Sequence, residues 1–341
     1  RHKNNIKIII PKALGGFIKM AELRWHPLIK DWVMIASNRQ NRPQMPKDYC
    51  PFCPSFGNVP DYEVMEYDND FPALSQNPPE PDDVSNDFFK VKPNYGKCEV
   101  ILYSPGHYVT LPELSDNHMK KLVDLWCERF NVMKADEKIK YIFPFENRGE
   151  AVGVTMPHPH GQIYGYSFIP KKLELETNSA KEYYEEKHEC LFCDMLKNEL
   201  EDSRRIIFKN DYFTVFLPFY CEYPYGVYII SNRHCEYITK FTEEEKFALG
   251  VTIRDTVGML DSLFNYKFPY MMCMHNAPVN SGDYSKDFHF HIEFFPPMRS
   301  AEKQKFNASS ETGAWASCNP TCPEETSKEL RAAYKRYKEN K

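Results

Sequence analysis

The chain passes twice, in the same order, through one set of landmarks. Cys50-Pro-Phe-Cys53 is matched by Cys190-Leu-Phe-Cys193. An apolar run ending in a loop histidine follows each pair: Val100 to Ser104 then His107, and Val227 to Ser231 then His234. Each is succeeded by a helix start, at Leu114-Ser115 and Phe241-Thr242, and then by His158-Pro159-His160 or His289-Phe290-His291. The copies stand about 130 residues apart, with the drift that loop insertions produce. Such a repeat reads as a tandem duplication of one α+β unit, with antiparallel strands flanked by helices. The units are expected at 20–175 and 176–341, meeting within the charged stretch Lys171 to Lys187. Ser115 with Asp116, and the Thr242/Glu245 capping box, predict helices of about 16–20 residues from about 116 and 243.

Composition excludes several alternatives. Aromatic residues make up 15%, with 26 Pro against 14 Gly, and G-x-G-x-x-G is missing, which disfavours a Rossmann protein. A net charge of −5 argues against nucleic-acid binding by bulk charge. No apolar run reaches the ~18–20 residues that span a bilayer. Residues 1–19 carry Arg1, Lys3, Lys7, Lys12 and Lys19 without an acid, and Ile8-Ile9-Ile10 is too short for a secretory signal. A disordered leader ahead of Met20 and a cytoplasmic protein are expected.

Eleven cysteines, an odd number, argue against a disulfide framework. A C-x-x-C pair brings two thiolates to one ion, and zinc asks for two further ligands. The first copy offers Cys50, Cys53, His107 and His158; the second offers Cys190, Cys193, His234 and His289. A redox pair is the alternative, but no thioredoxin-like βαβ pattern surrounds either copy. Four protein ligands leave no open position, so these sites are structural and chemistry lies elsewhere.

The segment Met156 to Gly165 carries it. Strand alternation points His158, His160 and Gln162 the same way, and Pro157 and Pro159 suggest an edge or irregular strand. His160 is placed to attack phosphorus through a neutral ring nitrogen, splitting one displacement into two. The Gln162 amide would stabilise charge developing on the phosphoryl oxygens. The competing reading makes both histidines metal ligands and nothing more.

His158-Pro159-His160-Gly161-Gln162, with the two histidine copies, resembles the galactose-1-phosphate uridylyltransferase family of the histidine-triad superfamily. Further matches are Arg39-x-x-Arg42-Pro43, Asn69-Asp70-Phe71, Ser104-Pro105-x-His107, Phe145-Glu146-Asn147, Phe295-Pro296-Pro297 and Lys305-Phe306. The resemblance implies a ping-pong transfer of UMP from UDP-glucose to galactose 1-phosphate through a uridylyl-His160. It implies that Asn69, Asp70 and Phe71 meet the uridine and ribose, and that Asn147, Thr155 and Gln162 meet the phosphates. Lys305, Phe306 and Glu311 would reach the hexose or diphosphate, and Arg39 and Arg42 the nucleotide across a homodimer interface. Zinc is implied in the first copy and zinc or iron in the second, where the roles of His234, His275 and His291 stay open. The rivals are an ADP-sugar or dinucleoside polyphosphate phosphorylase of the same superfamily, and a zinc-stabilised nucleotide-binding protein without catalysis.

Overall fold

The structure, a computed structural model, describes residues 21–37, 49–56, 58–154 and 156–341. The expected leader and Arg39, Arg42 and Thr155 lie outside the described residues. In chain order the first copy supplies β1 (Ala21–His26), β2 (Asp31–Ala36), β3 (Met65–Asp68), β4 (Val91–Pro93), β5 (Gly96–Leu102), α1 (Asp116–Lys134), β6 (Tyr141–Arg148) and β7 (His160–Tyr166). The second supplies α2 (Lys171–Lys187), α3 (Leu191–Asp202), β8 (Ile206–Lys209), β9 (Phe213–Phe216), β10 (Tyr228–Ser231), α4 (Glu243–Phe264), β11 (Tyr270–His275) and β12 (His291–Phe295). Helices α5 (Ser309–Ala314) and α6 (Pro323–Glu339) close the chain.

The two long helices start where their caps predict. The Ser115 side chain accepts from the His118 N–H, and the Thr242 hydroxyl and Glu245 carboxylate satisfy each other's backbone donors. Helix α4 runs 22 residues, longer than expected, and stops where Asn265 turns left-handed. Met119, Leu122, Val123, Trp126, Phe130 and Met133 bury one face of α1 at helical spacing.

Strands β2, β1 and β4 form a small separate sheet, and the other nine form one antiparallel sheet in the order β3-β5-β7-β6-β11-β12-β10-β9-β8. The first copy contributes β3-β5-β7-β6 and the second the matching series β9-β10-β12-β11, so the copies meet where β6 pairs with β11. One cross-strand row runs Gln162, Phe145, Cys273, Glu293. A pseudo-two-fold axis therefore passes between Phe145 and Cys273 and relates Gln162 to Glu293.

Period-two alternation sorts the two faces. Ile101, Ile142, Ile163, Met272 and Phe294 point to the side covered by α1 and α4. Cys98, Tyr141 and Tyr164 point the other way, under Ala73, Leu74 and Leu173, and Val100 and Leu102 pack with Cys50, Phe52 and Cys53. The charged stretch between the copies is helix α2, which sends Lys172 and Glu176 to the second copy's Glu293 and His275. The sequence suggested an edge or irregular strand around His160. Instead β7 is interior, hydrogen-bonded to β5 and β6, because both prolines precede its first residue and remove no ladder donor.

Candidate active site

Each copy gathers its four predicted ligands. Around the first C-x-x-C, ligand atoms of Cys50, Cys53, His107 and His158 all lie within 4.8 Å of one another. Cys53 Sγ is 3.2 Å from His107 Nδ1 and 3.5 Å from His158 Nδ1. The far nitrogen of His158 meets the Tyr62 hydroxyl at 2.8 Å, which turns Nδ1 inward toward the sulfurs. Burial pushes His158 down to about 4, so its imidazole is neutral, as a ligand must be. Burial and the neighbouring Cys50 push the Cys53 thiol up to about 11, a cost that a divalent cation removes. Two thiols and two inward imidazoles at this spacing fit a tetrahedral ion.

Cys190, Cys193, His234 and His289 repeat the arrangement, with Cys193 Sγ 3.4 Å from both imidazoles. His234 Nε2–H donates to the Ser285 carbonyl at 2.9 Å, and His289 Nε2 sits 2.8 Å from Ser231 Oγ. The same donor set supports the same fit.

The two His-x-His strands then diverge. His160 Nδ1–H donates to the His158 carbonyl at 2.7 Å, a tautomer that carries the ring lone pair on Nε2. The Tyr164 hydroxyl donates to Gln162 Oε1 at 3.1 Å, which leaves the Gln162 NH2 donors for another acceptor. His291 repeats the first bond, 3.0 Å to the His289 carbonyl, but is only 1% exposed. Its Nε2 faces Glu293 at 3.5 Å, and Lys172 Nζ binds that carboxylate at 2.6 Å. Only the first copy presents its second histidine to solvent.

Sequence reasoning gave no role to Glu176, which reads there as one more surface carboxylate. The structure sets it 2.8 Å from His275 Nδ1, and Glu176, His275 and His291 form a third group whose ligand atoms lie within 4.8 Å.

Asn147, His158 and His160 line one cavity of about 310 Å³, together with Thr110, Glu146 and Tyr270. Gly149, Glu150 and Lys267 also line the adjoining 810 Å³ cleft, which Phe306 borders. Lys305 and Glu311 pair with each other at 3.1 Å and line neither space. Asn69, Asp70 and Phe71 form a turn after β3, fixed by Asn69 Oδ1 on the Phe71 N–H at 2.9 Å. The Asn69 N–H reaches the Cys98 carbonyl, and Cys98 pairs with Tyr164. At ~3.3 Å per residue that row is about 13 Å from His160, a span that a nucleoside 5′-phosphate can bridge.

Two copies of one sheet, each with a Cys2His2 cluster, and one solvent-presented His-x-His histidine define a duplicated α+β protein whose candidate reactive group lies in the first copy. The profile of the galactose-1-phosphate uridyl transferase N-terminal domain matches residues 17–170, and that of the C-terminal domain matches 176–316. The galactose-1-phosphate uridylyltransferase of Thermotoga maritima is 39% identical over 314 residues, covering 92% of this chain and 98% of that one. The Haemophilus influenzae enzyme of the same name is 31% identical over 83% of this chain and 86% of its own. A solved uridylyltransferase superposes with a TM-score of 0.85 at 30% identity, over 92% and 99% of the two chains. An Arabidopsis thaliana ADP-glucose phosphorylase, at 22% identity and TM-score 0.70 over 91% and 98%, shares the fold. The chain belongs to the galactose-1-phosphate uridyl transferase family.

Proposed function

We propose that the protein transfers UMP from UDP-glucose to galactose 1-phosphate in two steps at one histidine. The observation that carries this reading is the 2.7 Å bond from His160 Nδ1–H to the His158 carbonyl, which makes Nε2 the nucleophilic nitrogen. Nε2 attacks the α-phosphorus of UDP-glucose. The N–P bond forms as the P–O bond to the β-phosphate breaks, and glucose 1-phosphate leaves with the electron pair. A phosphate oxygen of galactose 1-phosphate then attacks the same phosphorus, releasing His160 and giving UDP-galactose. The Gln162 NH2 group, fixed by Tyr164, holds the phosphoryl oxygens as charge builds on them.

Asn69, Asp70 and Phe71 take the uridine and ribose, Asn147 and Thr155 the phosphates, and Lys305, Phe306 and Glu311 the sugar side. Arg39 and Arg42 reach the nucleotide from the second subunit of a homodimer. Zinc held by Cys50, Cys53, His107 and His158 supplies a rigid anchor for the strand that aims His160. Cys190, Cys193, His234 and His289 hold a second ion, zinc or iron. Among the described residues no helix is long and apolar enough to cross a membrane, and we place the enzyme in the cytoplasm.

The test is an intact mass after incubation with UDP-glucose alone. A gain of about 306 Da, one uridylyl group, is expected. It should be missing in His160→Ala and discharged by galactose 1-phosphate. An adduct with ADP-glucose but not UDP-glucose would move the assignment to a phosphorylase; no adduct with either would remove His160 as nucleophile.

A further inference from the structure

Between His160 and Gln162 stands Gly161, and the space its side chain would fill is already taken. A Cβ built there would lie 2.1 Å from the Tyr103 hydroxyl oxygen and 2.9 Å from its ring carbon. Tyr103 is itself held on every side. Its N–H donates to the Pro159 carbonyl at 3.0 Å, and its carbonyl accepts from His118 at 2.7 Å. Its ring meets the edge of Trp126 at 5.8 Å, and the residue is 1% exposed.

Behind the hydroxyl lies Glu146, on the neighbouring strand β6 and 6% exposed. Tyr270 donates to its Oε1 at 3.0 Å. Its Oε2 and the Tyr103 hydroxyl are both buried and lie near each other without completing a hydrogen bond. Among the described residues no cation forms an ion pair with this carboxyl. The nearby Arg148 guanidinium gives two bonds to Asp261, at 2.7 and 2.9 Å, and acts on Glu146 through its charge alone. Tyr103, Glu146, Tyr270 and His160 line the same 310 Å³ cavity.

We propose that Glu146 is a positioning residue for the transfer reaction: an uncharged acid between Tyr270 and Tyr103 that seats the Tyr103 hydroxyl under Gly161 and so fixes the backbone between His160 and Gln162. This rests on the uridylyl-transfer reading. A neutral carboxylic acid has one oxygen to accept from Tyr270 and one O–H to give to Tyr103, which completes both orphaned groups. A carboxylate can accept from both tyrosine hydroxyls as well, but it sets a negative charge beneath the strand that must receive an anionic phosphoryl group. The charged and titratable groups facing it are Tyr103 on the segment after β5, Tyr270 on β11, Arg148 on β6 and Asp261 on α4, with Glu113 close to Arg148. Burial pushes the Glu146 carboxyl up to about 7, so both forms are reachable near neutrality.

The experiment follows the single-turnover rate of His160 uridylylation by UDP-glucose from about pH 5.5 to about pH 8.5. It compares wild type, Glu146→Gln, Glu146→Ala and Tyr103→Phe. Glutamine keeps one acceptor and one donor whatever the pH. Wild type should lose rate on the alkaline side, and Glu146→Gln should keep most of the low-pH rate without that alkaline limb. Glu146→Ala and Tyr103→Phe should lose rate about tenfold or more with KM for UDP-glucose nearly unchanged. Equal rates in Gln and Ala variants, or an alkaline limb that survives in Glu146→Gln, overturn the proposal. A second readout needs no activity: the difference in melting temperature between wild type and Glu146→Gln should change with pH. If that difference is flat, Glu146 does not titrate and the proposal fails. If it changes while wild type forms no UMP adduct, the uridylyl-transfer reading is what has failed.

Discussion

Gly161→Ala puts a single methyl group where the structure has least room. An ordinary carbon-to-oxygen contact is about 3.4 Å, whereas the new Cβ would meet the Tyr103 oxygen at 2.1 Å and the Phe145 carbonyl oxygen at 3.0 Å. The phenol would have to retreat by about 1 Å into a packed interior, and such overpacking costs about 1–3 kcal/mol. Trp126 and the Pro159 and His118 hydrogen bonds hold Tyr103 in place, so the strand bearing His160 must yield too. A misplacement of ~1 Å at a reacting group costs about a hundredfold in rate. Urea melts and single-turnover uridylylation measure the two effects separately. Adding Tyr103→Phe removes the oxygen but leaves the ring carbon at 2.9 Å, so the double variant should recover stability by about 1 kcal/mol relative to additivity. A Gly161→Ala protein with wild-type melt and rate would refute the claim that the phenol is seated on this backbone. Additive double-variant energies would place the damage elsewhere.

Three other outcomes are expected. Metal analysis of purified Cys53→Ser should show one equivalent less than wild type together with a lower melting temperature; equal metal content would remove the first cage. Glu99 is fully buried and accepts from Arg129 Nε and Nη2, at 2.9 and 2.6 Å, with Lys97 Nζ also 2.7 Å away, so Arg129→Ala should cost about 2 kcal/mol in a urea melt, and a loss within about 0.5 kcal/mol would contradict the pairing. Burial pushes Glu146 up to about 7, above an unfolded value of about 4.3, so the folded chain keeps a proton that the unfolded chain releases. Its contribution is complete below about pH 4 and falls by about 3 kcal/mol as the pH rises to about 7, at ~1.36 kcal/mol per unit. A wild-type minus Glu146→Gln stability difference that is constant over this window would disprove it.

Local signals were legible in the chain and long-range ones were not. The caps at Ser115 and Thr242 announce both long helices, and the C-x-F-C pairs with their loop and strand histidines announce both cages, because each signal sits within a few residues of its partner or recurs at one spacing. Nothing in the sequence states that β6 pairs with β11, since ladder hydrogen bonds use backbone groups that every residue carries. The prolines at 157 and 159 suggested an edge because they lack donors, but the strand begins after them. Glu176 was hidden among charged neighbours on α2, and only the fold brings it to His275. Tyr103 likewise has no spacing relation to Gly161, so the reason for that glycine appears only in three dimensions.

The β6–β11 junction also bears on how the chain is made. While the second half is still being synthesised, the finished first half carries a bare row of backbone donors and acceptors along β6. It has to keep that edge unpaired until Tyr270 to His275 leaves the ribosome, an interval on the order of ten seconds. During that time the edge is open to any other extended segment, including β6 of a second nascent chain. For the same reason, a chain cut between the copies should rejoin as two fragments by strand zippering, each half completing the other's sheet.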